Sequence, residues 1–167
     1  MIKWQFYPKS AKAPALAKLV VDAFTASPSI ASAKSGAASD LVLRAVRPAL
    51  LKAGFEVESG KKSAEKIKVP VLFGESGAVE KSFDADAYHA AEGFVVEVEA
   101  GRGVTNNQFL KDLFQACMMQ NVRFLGIALR QTYNGNKDYE YVKRFFDTLY
   151  ASERLKIPLE GVLVIGY

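Results

Sequence analysis

Cysteine is nearly absent from this chain, with one thiol, Cys117, in 167 residues. A single thiol excludes an intrachain disulfide framework, and the lack of disulfides fits a reducing, cytoplasmic setting. Cys117 lies in an apolar stretch with no histidine nearby in sequence, so it is expected as a buried, inert thiol. Histidine also occurs once, at His89, which excludes a His-based metal site and is expected at the surface beside a turn. No apolar run approaches the roughly 18 residues a membrane span needs, so no membrane partner is expected. Residues 1–9 contain no continuous apolar core of the kind a secretory signal carries. Phosphate-binding Walker loops, dinucleotide fingerprints, zinc-ligand spacings and G-x-S-x-G elbows are all missing.

The residues that are present describe an ordinary globular chain. Half are hydrophobic and about a quarter charged, and the length allows one domain with a real core. Net charge is +4, compatible with a polyanionic partner but weak evidence alone. Residues 11–26 show helical spacing, with Leu16, Leu19, Val20, Ala23 and Phe24 on one side. Residues 27–36 are rich in Ser, Ala and Gly and read as a loop. A second helix begins near Ser39-Asp40 and ends near Gly54, with Pro48 as a possible kink.

Strands follow at Phe55–Glu58, at Val69–Phe73 and in a hairpin from Phe83 to Glu99. A helix from about Asn106 to Gln120 has Phe109, Leu110, Leu113, Phe114, Cys117 and Met118 on one side. Residues 122–131 read as a strand buried on both faces, residues 139–153 as a helix, and residues 162–165 as a last buried strand. Strand–helix–strand steps after Glu99 imply crossovers. The expected fold is therefore α/β, a mixed β-sheet flanked by helices. The whole of 1–167 is read as a single domain, with an N-terminal helical segment of about 1–38 and a core of about 39–167.

Acid placement is the most informative feature. Strand side chains alternate faces, so Asp84 and Asp86 share one face and Glu97 and Glu99 share one, with Phe94, Val96, Val98 and Ala100 opposite. A turn centred on Ala91-Glu92 puts Asp86 opposite Glu97 and Asp84 opposite Glu99. Like charges opposed across a sheet destabilise it, and no Lys or Arg is interleaved. A hard divalent cation, Mg²⁺ or Mn²⁺, is the natural compensation, because such ions take carboxylate oxygens. The bland alternative is a solvated polar hairpin face.

Several basic and amide residues surround this hairpin. Arg102, between Gly101 and Gly103, is a candidate phosphate contact, and equally a residue of a plain turn. Asn106 and Asn107 are candidate base readers, although one of them suits a helix N-cap better. Lys61, Lys62, Lys66 and Lys68 suit either a DNA track or a solvated loop.

A helix, a three-stranded meander, a further helix and a buried strand, with an aspartate on the middle strand and an acidic pair on the third, resemble the PD-(D/E)XK nuclease superfamily. The resemblance covers roughly residues 39–131 and is similar to type II restriction endonucleases of the BamHI and BglII kind. Asp86, or Asp84, matches the motif's aspartate; the eleven-residue spacing to Glu97 favours Asp86. Glu97 matches the second acid, and Glu99 stands at the usual lysine position. The resemblance implies a restriction endonuclease-like core and Mg²⁺-dependent hydrolysis of DNA. Asp86 and Glu97 would hold the ion, with Asp84 as an added ligand, and Glu99 would orient or deprotonate a water. Lys111 is a candidate for the missing positive charge, and Glu56 or Glu58 for a further ligand. The alternative implied by the missing lysine is a nuclease-fold protein without cleavage, acting as a DNA- or protein-binding module. A chain this small is expected to act as a homodimer or with a partner that supplies specificity.

Overall fold

The computed structural model describes residues 1–31, 37–60 and 62–167. The end of the expected loop, residues 32–36, and the candidate contact Lys61 lie outside the described residues. Eight strands and four α-helices follow one another as β1 (Lys3–Tyr7), α1 (Ala15–Thr25), α2 (Ser39–Lys52), β2 (Glu56–Val57), β3 (Ile67–Phe73), β4 (Val79–Ala85), β5 (Ala87–His89), β6 (Phe94–Glu99), α3 (Gln108–Met118), β7 (Phe124–Leu129), α4 (Asp138–Ser152) and β8 (Gly161–Gly166). Six strands form a mixed sheet in the order β1-β8-β7-β6-β5-β2, and β3 and β4 form a separate two-stranded ribbon.

The centre of the sheet is parallel. β6 pairs with β7, and β7 with β8, in the parallel sense. Each step is bridged by a helix, α3 and then α4, as parallel neighbours require. β7 and β8 are buried throughout apart from half-buried Phe124, matching the apolar runs that named them. The flanks are antiparallel, β1 on β8 at one side and β5 on β6 and β2 on β5 at the other.

Period-two alternation divides the core into two layers. Phe94, Val96, Val98, Leu163 and Ile165 pack with α1 and α2 residues such as Phe24, Val42, Val46 and Leu50. Val95, Leu125, Ile127, Val162 and Val164 pack on the other face with Phe109, Leu113, Val142 and Phe146 of α3 and α4. Glu97 and Glu99 alternate in step with Val95, so they fall on the α3 side.

Three elements differ from expectation. Residues 3–7, expected within a helical N-terminal segment, form edge strand β1, with Phe6 and Tyr7 both buried. Pro48 sits exposed inside α2 without dividing it. The expected acidic hairpin is two structures: β4 pairs with β3, and only β5 pairs with β6. The Asn134-Gly135 turn is present, with both residues at positive φ between a bridged Tyr133 and Asn136. No helix among the described residues is long and apolar enough to cross a membrane.

Candidate functional site

The chain bends at Asp86, where β4 leaves the ribbon and β5 joins the main sheet. The β5–β6 register runs His89↔Phe94, Tyr88↔Val95 and Ala87↔Val96. One more step would set Asp86 opposite Glu97, as expected, but the ladder ends at Ala87. The carboxylate takes over there: Val98 N–H donates to Asp86 Oδ2 at 2.8 Å. On its other side, Glu58 N–H donates to the Asp86 carbonyl at 2.8 Å. Asp86 is thereby fixed between β2 and β6.

Asp84 does not follow. It lies exposed on β4, with Lys68 as its cross-strand partner, and is not opposite Glu99. Alternation put Asp84 and Asp86 on one face, but the bend between the two sheets separates their pairing partners.

The acid that sequence reasoning missed is Asp112. It sits on α3 among Phe109, Leu113 and Ala116, the buried side of that helix, and is 4 % exposed. Its neighbours at three and four positions are the apolar stripe itself, and an acid inside such a stripe was the available signal. Glu97, Glu99 and Asp112 thus meet between the sheet and α3, with Asp86 beside Glu97.

Electrostatics bind these groups together. Burial pushes the Asp86 carboxyl up to about 7, opposed by the Val98 hydrogen bond and reinforced by the charges of Glu58 and Glu99. Glu97 is pushed well above the carboxylate range by burial and by the charges of Asp86, Asp112 and Glu99, with Lys111 opposing. Burial raises Glu99 too, while a hydrogen bond with Asp112 and the charges of Lys111 and Arg102 oppose it. Asp112 is raised to about 8 by burial and then by the charge of Glu99. With both carboxyls ionised, Asp112 Oδ2 is buried without a hydrogen-bond donor. With a proton on Asp112, that carboxyl donates to Glu99. Burial and mutual repulsion thus favour the protonated form across this cluster, with Lys66 and Lys111 opposing.

Two lysines bear on the cluster from different directions. Lys66 forms a 2.7 Å ion pair with Glu58, and its charge reaches Asp86. Lys111 on α3 is exposed, and its charge acts on Glu97, Glu99 and Asp112. An open groove beside Glu99 is lined by Arg102, Gln108, Lys111, Arg130 and Tyr133. Gly101 at its rim has φ +137°, and a Cβ there would fall 2.7 Å from the Tyr133 ring.

The remaining candidates are more ordinary. Asn107 occupies the N-cap position of α3 in left-handed conformation, with no side-chain cap hydrogen bond. Asn106 is exposed, and its N–H is spent on the Arg102 carbonyl. Lys62 is exposed, and its backbone N–H bonds Glu65. Glu56 pairs opposite Tyr88 and is exposed. His89 packs edge-on against Phe55 at 5.3 Å. Cys117 is half-buried, with its thiol pushed up by burial and therefore protonated.

The candidate ligands are carboxylate oxygens, the donor type that a hard divalent ion takes. Among the described residues no three His, Cys, Asp or Glu side chains are grouped so as to hold a metal ion. Mg²⁺ commonly uses one or two carboxylates and completes its shell with waters and substrate phosphate. No family model matches this chain, and no curated protein matches it either.

Proposed function

We propose that the chain is a Mg²⁺-dependent endonuclease of restriction endonuclease-like type that hydrolyses phosphodiester bonds of DNA. One observation carries the reading. Asp86, Glu97 and Glu99 from adjoining strand segments share a site with buried Asp112, inside a rim of basic side chains that includes Arg102 and Lys111. A mutually repelling acid cluster inside a basic surround suits a cation and a polyanion taken up together.

Asp86 and Glu97 are the residues that would hold Mg²⁺ or Mn²⁺. When bound, such an ion polarises the scissile phosphate and makes a water more acidic. Glu99 reaches the open groove and orients the attacking water as its proton acceptor. Asp112 holds the Glu99 carboxylate in place through their shared hydrogen bond. Lys111 and Arg102 offset the charge that develops on the phosphate. The positive charge that most members of the resembling superfamily carry as a lysine at the position of Glu99 would come here from other elements, with Lys66 supplying it at Asp86. Two copies of the chain, or a partner, would supply specificity on a duplex.

A second reading is favoured by Glu99 itself and by the absence of a three-ligand group among the described residues. It is a nuclease-fold module that binds DNA or a protein without cutting. Cleavage of plasmid and oligonucleotide DNA with Mg²⁺ or Mn²⁺, beside Glu97→Ala, separates the two. Metal-dependent cutting that vanishes in the variant supports the endonuclease. Folded wild-type protein that neither cuts DNA nor binds either ion by calorimetry overturns it.

A further inference from the structure

We propose that the pocket between α2 and the segment following β2 is a second phosphate subsite, holding a phosphodiester of the same nucleic-acid strand next to the one at the carboxylates. The proposal rests on the nucleic-acid reading above and names where that partner is gripped. The pocket is lined by Ser39, Arg44, Arg47, Glu58, Ser59 and Asp86, so it opens beside the candidate metal-holding aspartate.

Arg44 and Arg47 lie three residues apart and therefore on one face of α2. Among the described residues neither forms an ion pair, and Arg47 Nε is buried with no acceptor. Of the pocket's three acids, Glu58 is already neutralised by Lys66 at 2.7 Å, Asp40 is engaged in an interaction of its own, and Asp86 accepts from Val98 N–H at 2.8 Å. Two guanidinium groups without a carboxylate partner, one of them with a buried unused donor, call for an external acceptor. A phosphate oxygen pair matches the planar donor fork of arginine. The pocket sits at the start of α2, a 14-residue helix whose N-terminal dipole adds to the attraction.

Position selects a strand of nucleic acid over a free anion. Ser39 lines this pocket and also the groove that holds Glu99, Arg102 and Lys111. The two clefts therefore flank the carboxylates, one on the Asp86 side and one on the Glu99 side. A backbone crossing the acids places one phosphate at them and a neighbouring one in the α2 pocket.

The test is fluorescence anisotropy of a labelled DNA duplex in EDTA across a potassium chloride series. Wild type is compared with Arg44→Ala, Arg47→Gln and the α1 control Lys18→Ala, with circular dichroism confirming the fold. Each arginine variant is expected to weaken binding at least about tenfold and to lower the slope of log affinity against log salt by about one, with Lys18→Ala unchanged. Arg44 is exposed, so its variant carries the test if Arg47→Gln fails to fold.

Unchanged affinity and slope in the arginine variants overturn the subsite while leaving the endonuclease reading intact. Arginine-dependent duplex binding without metal-dependent cleavage keeps the subsite and overturns the endonuclease. A wild type that binds inorganic phosphate through Arg47 but no duplex overturns the strand subsite, and one that binds neither overturns it as well.

Discussion

Replacing Asp112 by asparagine should stabilise this protein, by an amount that grows with pH. The carboxyl is 4 % exposed and titrates near 8, against an ordinary 3.8. In the unfolded chain it is ionised at neutral pH; in the fold it keeps a proton. A group whose pKa is raised by folding contributes its full stability below the unfolded value and loses it as pH rises through the folded one. The wild type should therefore lose stability between about pH 4 and pH 8 on this account. At about 1.4 kcal/mol per pH unit between 3.8 and 7, the ceiling at neutral pH is about 4 kcal/mol. Asparagine fills the same volume, carries no charge to suppress, and still donates an N–H to Glu99. We expect a gain of about 1 to 4 kcal/mol at pH 7, shrinking towards zero near pH 4. Urea denaturation of both proteins in EDTA, repeated across that pH range, measures it. A variant no more stable than wild type at pH 7, or a gain of the same size at every pH, refutes the argument that Asp112 is a carboxyl held neutral by its surroundings.

Three further outcomes are expected. Mn²⁺ affinity, measured by calorimetry, should rise from pH 6 to pH 8, because Asp86 titrates at about 7 and must shed its proton to bind an ion; affinity independent of pH would remove Asp86 from the ligand set. Lys66→Met should cost about 1 to 3 kcal/mol in urea denaturation, since Glu58 is left with its ion-pair partner gone in a part-buried setting. It should also move the Asp86 titration upward, visible as a shift of any cleavage profile to higher pH. Tyr7→Phe should cost about 1 to 3 kcal/mol, because the buried hydroxyl donates at 2.8 Å to the Lys143 carbonyl and lies 2.9 Å from Asp147 Oδ1; a neutral effect would mean water serves both acceptors.

The parts of this molecule that could be read in its sequence are those where one periodicity governs a whole element. β7 and β8 are legible as apolar runs and β6 as Phe94, Val96 and Val98 on one face; the stripe of α3 is legible in Phe109 and Leu113, whereas its Phe114 and Met118 are exposed. The placement of Glu97 and Glu99 on one face followed directly. What could not be read depends on pairing across distance. Val79–Ala85 is rich in charge because it is one arm of a ribbon with little to bury, so its partnership with β3 left no hydrophobic trace. β1 is five residues long, and its Phe6 and Tyr7 are both buried because the two faces of the sheet are both covered, which erases alternation. Asp84 was misplaced by a rule that holds only while a strand stays in one sheet. Asp112 is the exception within an apolar stripe, and three and four spacing marks the buried side of a helix without marking an acid on it.

The bend at Asp86 has a consequence for how this chain tolerates change in length. β4 arrives from the ribbon, β5 departs into the main sheet, and Asp86 alone joins them, anchored from both sides by backbone N–H groups. The outer end of the ribbon, from Leu72 to Val79, lies on the far side of that joint. Residues added or removed there alter an appendage and leave the carboxylate where it was. A single residue inserted between Ala85 and Ala87 is another matter, because it turns the aspartate to the opposite side of the strand. Length variation among descendants of this sequence should collect at the ribbon's tip and stop abruptly at its root.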